Sequence, residues 1–405
     1  MQIQIQCCGI VLMMVLFYFY IRQKRIALKT QRAFLWVYGA TFVCILLDVF
    51  SIGVIEYRHA LSEVFARFVA KSYLVSLLGV ALSALSYMCV DIYAKQEVYW
   101  QQMRRYLILT GAGIVGTYAA PLYYQYSADG TEVLYTYGPS VYVTYGMALV
   151  FFVKIFYLLR REKAKINPRR REAVCIWLLV WIVASQIQFM YTNILIVGYA
   201  GAIGIMVLYL KLENPETNLD RNTGLFNSGA LYQYAKQFYV KEQDFSVLVL
   251  LFGSIAYQNV QMERRELARM EIIEYLLKIP DALVFKNAED EYYVVFADME
   301  TAKEGVRRIR SRFRLGWGVN DASIVHPRWL YLPHANIVDS VEDLLYFIRY
   351  VRQNAKTFSE NDFLSIGRDS VEQMNRVHET EQLIIEAIEY DRVEVFYQPI
   401  YSTRE

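Results

Sequence analysis

The sequence predicts a multi-span α-helical membrane domain followed by a water-soluble α+β domain. Three observations carry that expectation. The hydrophobic fraction is 56% and the mean hydropathy is +0.21, both high for a soluble chain, and the excess lies almost wholly before Lys211. That first half holds seven apolar stretches, whereas the second alternates short apolar runs with helical patterns. Between them stands Asp220-Arg221-Asn222-Thr223-Gly224-Leu225-Phe226-Asn227, preceded by Pro215, a composition suited to a turn that stops one element and opens a helix.

The seven stretches fall near residues 3–21, 33–55, 68–93, 106–124, 141–159, 174–190 and 193–210. Each approaches the roughly 20 helical residues that cross a hydrocarbon core. The last two nearly abut and predict a tight hairpin. Lys and Arg set the orientation. Arg22, Lys24, Arg25, Lys29 and Arg32 follow the first stretch, Lys95, Arg104 and Arg105 the third, and seven more run from Arg160 to Arg171 after the fifth. The opposite loops hold few, so the amino terminus is expected outside and the chain after Leu210 in the cytoplasm. Residues 1–9 carry no positive charge, which argues against a cleaved leader.

Charge inside a bilayer is costly and marks function by default. Asp48, Lys71, Asp91 and Lys154 are the candidates. Snorkelling from a span end accounts for the last three, and Asp48, the deepest, is the intramembrane polar residue to watch. Gly198, Gly201 and Gly204, like Gly111, Gly113 and Gly116, have the spacing of close helix contacts. Tyr123, Tyr124, Tyr126, Tyr135, Tyr137, Tyr142 and Tyr145 read as an outer aromatic belt. The five Cys (Cys7, Cys8, Cys44, Cys89, Cys175) sit in apolar runs without metal-site spacing and read as buried thiols.

In the second half, residues 228–240 suit a helix, and 245–252 form a continuous apolar run of the kind found in a central strand. A helical pattern covers 258–278, and two apolar runs, 282–285 and 292–296, flank a polar turn, as in a β-hairpin. Helix, strand and helix follow at 301–313, 314–325 and 340–356. Scattered His59, His326, His334 and His378, with no Cys after Cys175, give no nucleophile and base pair, and no G-x-x-x-x-G-K phosphate loop occurs. A net charge of +2 points to no nucleic acid polymer.

The octet at 220–227 resembles the D-x-x-T-G-L-x-N opening of GGDEF domains of bacterial cyclic-di-GMP signalling, and the element order resembles that family through Lys356. The resemblance implies an α+β, nucleotidyl-cyclase-type fold in residues 213–366, after a seven-span sensor or anchor in 1–212. The hairpin turn of the family, Gly-Gly-Asp-Glu-Phe, reads here Ala288-Glu289-Asp290-Glu291-Tyr292. Its acidic pair is kept and its glycines are lost, with Glu289 adding bulk and negative charge where GTP phosphates would come. The metal-binding Asp at the end of the first strand becomes Leu251, and its acidic neighbour Gly253. Leu cannot hold Mg2+. The guanine-contacting Asn matches Asn259, but the Asp nine residues on becomes Ala268; Lys356 matches the triphosphate Lys, and the next basic position is Glu360. The inhibitory R-x-x-D falls at Ile279 and Ala282. No catalytic residue is therefore expected, and Asp290 or Glu291 is the metal ligand if any is.

Residues 383–401 resemble the start of an EAL phosphodiesterase domain, a helix leading into a strand that ends Tyr397-Gln398-Pro399-Ile400. Residues 367–405 are thus expected to be a linker helix and the first strand of a truncated EAL domain. The leading expectation is a bacterial inner-membrane cyclic-di-GMP signalling protein, dimeric, whose degenerate GGDEF-like domain regulates a phosphodiesterase. A variant has GTP bound as an allosteric ligand through Asn259 and Lys356. The alternatives are an active diguanylate cyclase using Mg2+, and a seven-span receptor or transporter with a soluble interaction domain.

Overall fold

The computed structural model describes residues 3–23, 26, 28–57, 60–93, 95–126, 133–191, 195–252, 262–288, 290–317, 325–354, 363–394 and 396–397. They divide into two units, Met1–Asn218 and Leu219–Glu405. The first holds α1 (Gln4–Arg22), α2 (Lys29–Glu56), α3 (Glu63–Ile92), α4 (Gln96–Ala119), α5 (Pro139–Arg161), α6 (Pro168–Met190) and α7 (Val197–Leu208). Among the described residues, α1, α2, α3, α5 and α6 are long and apolar enough to cross a membrane. The two other expected spans are helical but differ in kind. Polar and basic residues from Gln96 to Arg105 fill the first turns of α4, and α7 has 12 α-helical residues before a π-helical turn at Tyr209–Glu213. At 1.5 Å per residue, 12 residues span about 18 Å, short of a core of about 30 Å.

Small residues let these helices close. A Cβ at Gly204 would lie 1.6 Å from Trp177 Cδ1, so the indole on α6 occupies the space that a side chain on α7 would need. Gly201 and Gly198 make milder close approaches, to Thr41 and Asp48 of α2 at 3.0 and 3.2 Å from a Cβ, as do Gly113 and Gly116 to Met147 and Val143 of α5, each at 3.2 Å. Gly111 has nothing within 4 Å, so the second expected set is a pair rather than a trio. Gln188 accepts from the Ile196 and Val197 amides at 3.0 and 3.1 Å, capping the start of α7 after the α6–α7 connection.

The Lys71 ammonium donates to the Tyr118 and Ala120 carbonyls at 2.8 and 2.6 Å, closing the carboxyl end of α4, where the helix dipole favours a cation. One expectation about polar groups changes. Cys44 and Cys89 are buried, but Cys7 and Cys8 are exposed on the outer surface of α1. Lys154 lies 4.9 Å over the Tyr157 ring. The Asp91 side chain lies outside the described residues. Tyr123, Tyr124, Tyr126, Tyr135 and Tyr137 belong to an antiparallel pair, β1 (Tyr123–Tyr126) and β2 (Val133–Tyr137), which joins α4 to α5.

The second unit is a six-stranded sheet with helices on both faces. Its elements are β3 (Phe226–Asn227), α8 (Ser228–Lys241), β4 (Ser246–Leu251), α9 (Met262–Leu276), β5 (Ala282–Ala288), β6 (Glu291–Phe296), α10 (Met299–Phe313), β7 (Arg328–Leu332), α11 (Val341–Asn354), β8 (Phe363–Ser365) and α12 (Arg368–Glu389). Strand order is β3-β5-β6-β4-β7-β8. The middle four strands are antiparallel, and the sequence β4-α9-β5-β6-α10-β7 is a split βαβ arrangement. Short parallel strands, β3 on β5 and β8 on β7, extend it at either edge. Alternation decides the two faces. Leu248, Leu250, Phe252, Tyr292, Val294 and Phe296 join Ile272, Leu276, Ile309 and Phe313 in one core. The intervening Val247, Val249, Tyr293 and Val295 are buried on the opposite face.

Of the strand expected at 314–325, residues 318–324 lie outside the described residues, and the next described strand is Arg328–Leu332. Trp317 enters the core after α10, with Phe313 edge-on at 5.0 Å and the Arg312 guanidinium 3.7 Å over its ring. The terminal strand expected to reach Ile400 is not formed in its described part. Val393, Phe396 and Tyr397 are exposed and make no ladder there, and 398–400 lie outside the described residues.

Candidate functional site

The octet at 220–227 folds as a hydrogen-bonded turn. The Asp220 amide donates to the Leu225 carbonyl at 2.8 Å, and the Gly224 amide donates back to the Asp220 carbonyl at 2.8 Å. Gly224 has φ +66°, a left-handed conformation that glycine adopts without a Cβ clash. The Asp220 carboxylate accepts from the Thr223 amide and hydroxyl at 2.9 and 2.7 Å, and Lys286 of β5 lies 3.3 Å away. Burial alone would raise the Asp220 carboxyl, but the Thr223 bonds and the Lys286 charge outweigh it and hold it below the ordinary carboxylate range. Asn227 caps α8 by accepting from the Ala230 amide at 3.0 Å. Asp, Thr, Gly and Asn of the octet thus each have a structural task, and the turn is tied to the hairpin strand.

The hairpin itself places Ala288 opposite Glu291 at the end of the β5–β6 ladder, with Asp290 in the turn and Tyr292 pointing into the core. Glu289 lies outside the described residues. Leu251, the last residue of β4, is the cross-strand neighbour of Glu291 on one side and of Arg328 on the other. The Phe252 amide donates to the Asp290 carbonyl at 2.7 Å, which fixes the strand end against the turn. The register therefore brings together the first-strand terminus and the acidic hairpin, and the residue facing Glu291 is a leucine. The nearest acidic residue before β4, Asp244, lies at the other end of the strand, 2.5 Å from His334.

Glu291 is a buried carboxylate with only 5% of its surface accessible, and its acceptors are occupied from within the chain. It accepts from the Tyr293 hydroxyl at 2.8 Å, from Asn287 Nδ2 at 3.1 Å and from Arg352 on α11 at 3.4 Å. Burial, followed by the neighbouring Glu291 charge, pushes the Tyr293 phenol well above its usual value, so it stays a donor. Tyr292, on the other face, is pushed up to about 12 by burial. A two-metal phosphoryl site, which the family resemblance implies, needs several free hard oxygens; the Glu291 carboxylate is engaged by three donors and the Leu251 facing it is apolar, so these two positions offer none.

The remaining motif positions divide in two. Ala268, where a base-contacting Asp was expected, is buried in the core on α9, and Ile279 is buried beside it, so neither reaches a ligand at the surface. Asn259, Gly253, Lys356 and Glu360 lie outside the described residues. Sequence reading missed Asn287, Tyr293 and Arg352 as partners of Glu291. Tyr293 had a signal, since residues two apart share a strand face, whereas Arg352 is 61 positions away and had none.

In the first unit, Asp48 is buried on α2, where Gln6 of α1 donates to it at 3.4 Å and Tyr73 of α3 faces it.

No protein-family model and no curated protein matches the chain. Among solved structures, a diguanylate cyclase/phosphodiesterase from Caldicellulosiruptor saccharolyticus is similar at 17% identity and a TM-score of 0.28, over 35% of this chain and 86% of that one.

Proposed function

We propose that this chain is a membrane-bound cyclic-di-GMP signalling protein whose GGDEF-like unit transmits rather than catalyses. One observation carries the proposal: where the register delivers the first-strand terminus to the acidic hairpin, the facing residue is Leu251, and Glu291 is consumed by Asn287, Tyr293 and Arg352. The split βαβ order, the Asp220 to Asn227 turn and the apolar helices of the first unit support the same reading. The resemblance of residues 383–401 to an EAL opening gives the unit its partner, a phosphodiesterase acting on cyclic di-GMP. The membrane unit then acts as sensor or anchor with its amino terminus outside, and the soluble unit acts in the cytoplasm as a homodimer.

The test is a cell strain stripped of its own cyclic-di-GMP enzymes. Expression of the chain alone is expected to leave the nucleotide undetectable. When cyclic di-GMP is supplied by a heterologous cyclase, the chain joined to an active EAL domain should lower it at a rate that changes when residues 219–366 are deleted. Accumulation of cyclic di-GMP with the chain alone overturns the proposal in favour of an active cyclase.

A further inference from the structure

Four helices of the first unit converge on Asp48. Its carboxylate is 3.4 Å from Gln6 Nε2 of α1 and faces Tyr73 of α3. On α7, a Cβ at Gly198 would stand 3.2 Å from Asp48 Oδ2, so the Gly198 backbone packs close against the carboxylate. Asp48 is 3% exposed and Gln6 is wholly buried. Gln6 spends its donor capacity on Asp48 and on the Leu195 carbonyl at 2.9 Å, and its own Oε1 is left without a hydrogen-bond partner. The titratable groups facing Asp48 are Cys44 of α2, Tyr73 of α3 and Tyr145 of α5. All three are neutral acids at neutral pH. Among the described residues no Lys, Arg or His pairs with Asp48.

An ionised carboxylate buried without a counter-charge is expensive, and such a group takes up a proton instead. A proton is also the one cationic ligand that needs no room. We propose that Asp48 is a proton-binding site that links α1, α2, α3 and α7, protonated in the packed bundle and emptied when the bundle loosens. On release, the carboxylic O–H bond breaks, the proton passes to water, and the electron pair stays on the carboxylate. The uncompensated charge then opposes the close approach of α1 and the Gly198 backbone. This proposal is independent of the chemistry of the soluble unit.

The test is infrared spectroscopy of the full chain in lipid nanodiscs, with carbon-13 aspartate to assign the band. At neutral pH the wild type should show the C=O stretch of a protonated aspartic acid, because exposed aspartates are ionised there. The band should vanish in the near-isosteric Asp48→Asn, convert to carboxylate in alkaline buffer, and shift in frequency in Tyr73→Phe. The labelled wild type makes the result independent of how well the variants fold. Absence of a protonated aspartic band at neutral pH overturns the proposal. So does a band that appears only when sodium is replaced by a bulky organic cation, since the site would then hold a metal ion.

Discussion

Replacing Glu291 with Ala separates a structural carboxylate from a catalytic one. The change strands three donors: the Tyr293 hydroxyl at 2.8 Å, Asn287 Nδ2 at 3.1 Å and Arg352 at 3.4 Å. A hydrogen bond to a charged group contributes roughly 1.5–3 kcal/mol, and a neutral one about 1 kcal/mol. The Tyr293 bond, short and buried, belongs in the upper class. Arg352 is 45% exposed, so its bond is screened and adds roughly 0–1 kcal/mol. Removing the carboxylate also relieves its own burial cost, which offsets part of the sum. The net loss should be about 2–3 kcal/mol, with Tyr293→Phe, which removes the strongest of the three bonds, losing roughly 1.5–3 kcal/mol. Urea unfolding of the soluble unit, residues 219–397, followed by circular dichroism, reads both directly. If Glu291→Ala unfolds at the wild-type urea concentration with an unchanged slope, the carboxylate is not holding the fold, and the assignment of its partners is wrong.

Other positions give independent checks. Because the folded state holds the Asp220 carboxyl low, its stabilisation is complete above the ordinary carboxylate range and is lost as pH falls through the depressed value. The drop in urea midpoint between neutral and strongly acidic buffer should therefore shrink in Asp220→Asn, and an unchanged drop would remove this residue as a cause. Asn227→Ala should cost the soluble unit about 1 kcal/mol through loss of the α8 cap. In the membrane unit, Gly204→Ala forces Trp177 to move and should destabilise by roughly 1–3 kcal/mol. That cost should fall when Trp177→Ala is already present, so additivity in detergent unfolding of the four proteins would refute the contact.

What could be read from residues alone follows from how local the physical signal is. The continuous apolar run at 245–252 gave the central strand, and the paired runs about Ala288 to Glu291 gave the hairpin, because both are encoded by neighbours in the chain. The strands at Phe226–Asn227 and Phe363–Ser365 are two and three residues long, and exist only by pairing with β5 and β7, so they carry no pattern of their own. The setting of Trp317, edge-on to Phe313 and under Arg312, follows from packing that the local pattern does not encode. At the site, Leu251 was legible as the apolar end of the central strand, and its pairing with Glu291 is visible only in the register. The use of Glu291 by Arg352, and of Asp48 by Gln6, depends on contacts far apart in sequence that no motif records. The carbonyl partners of Lys71 likewise lie on another helix.

The most direct test is to incubate the purified full chain, in lipid, with GTP and Mg2+ and to look for cyclic di-GMP by mass spectrometry. A Leu251 that faces a fully engaged Glu291 predicts no product, with GTP recovered intact. Cyclic di-GMP that forms in the wild type and disappears in Asp290→Asn would contradict the account, because the hairpin would then be holding metal and substrate after all.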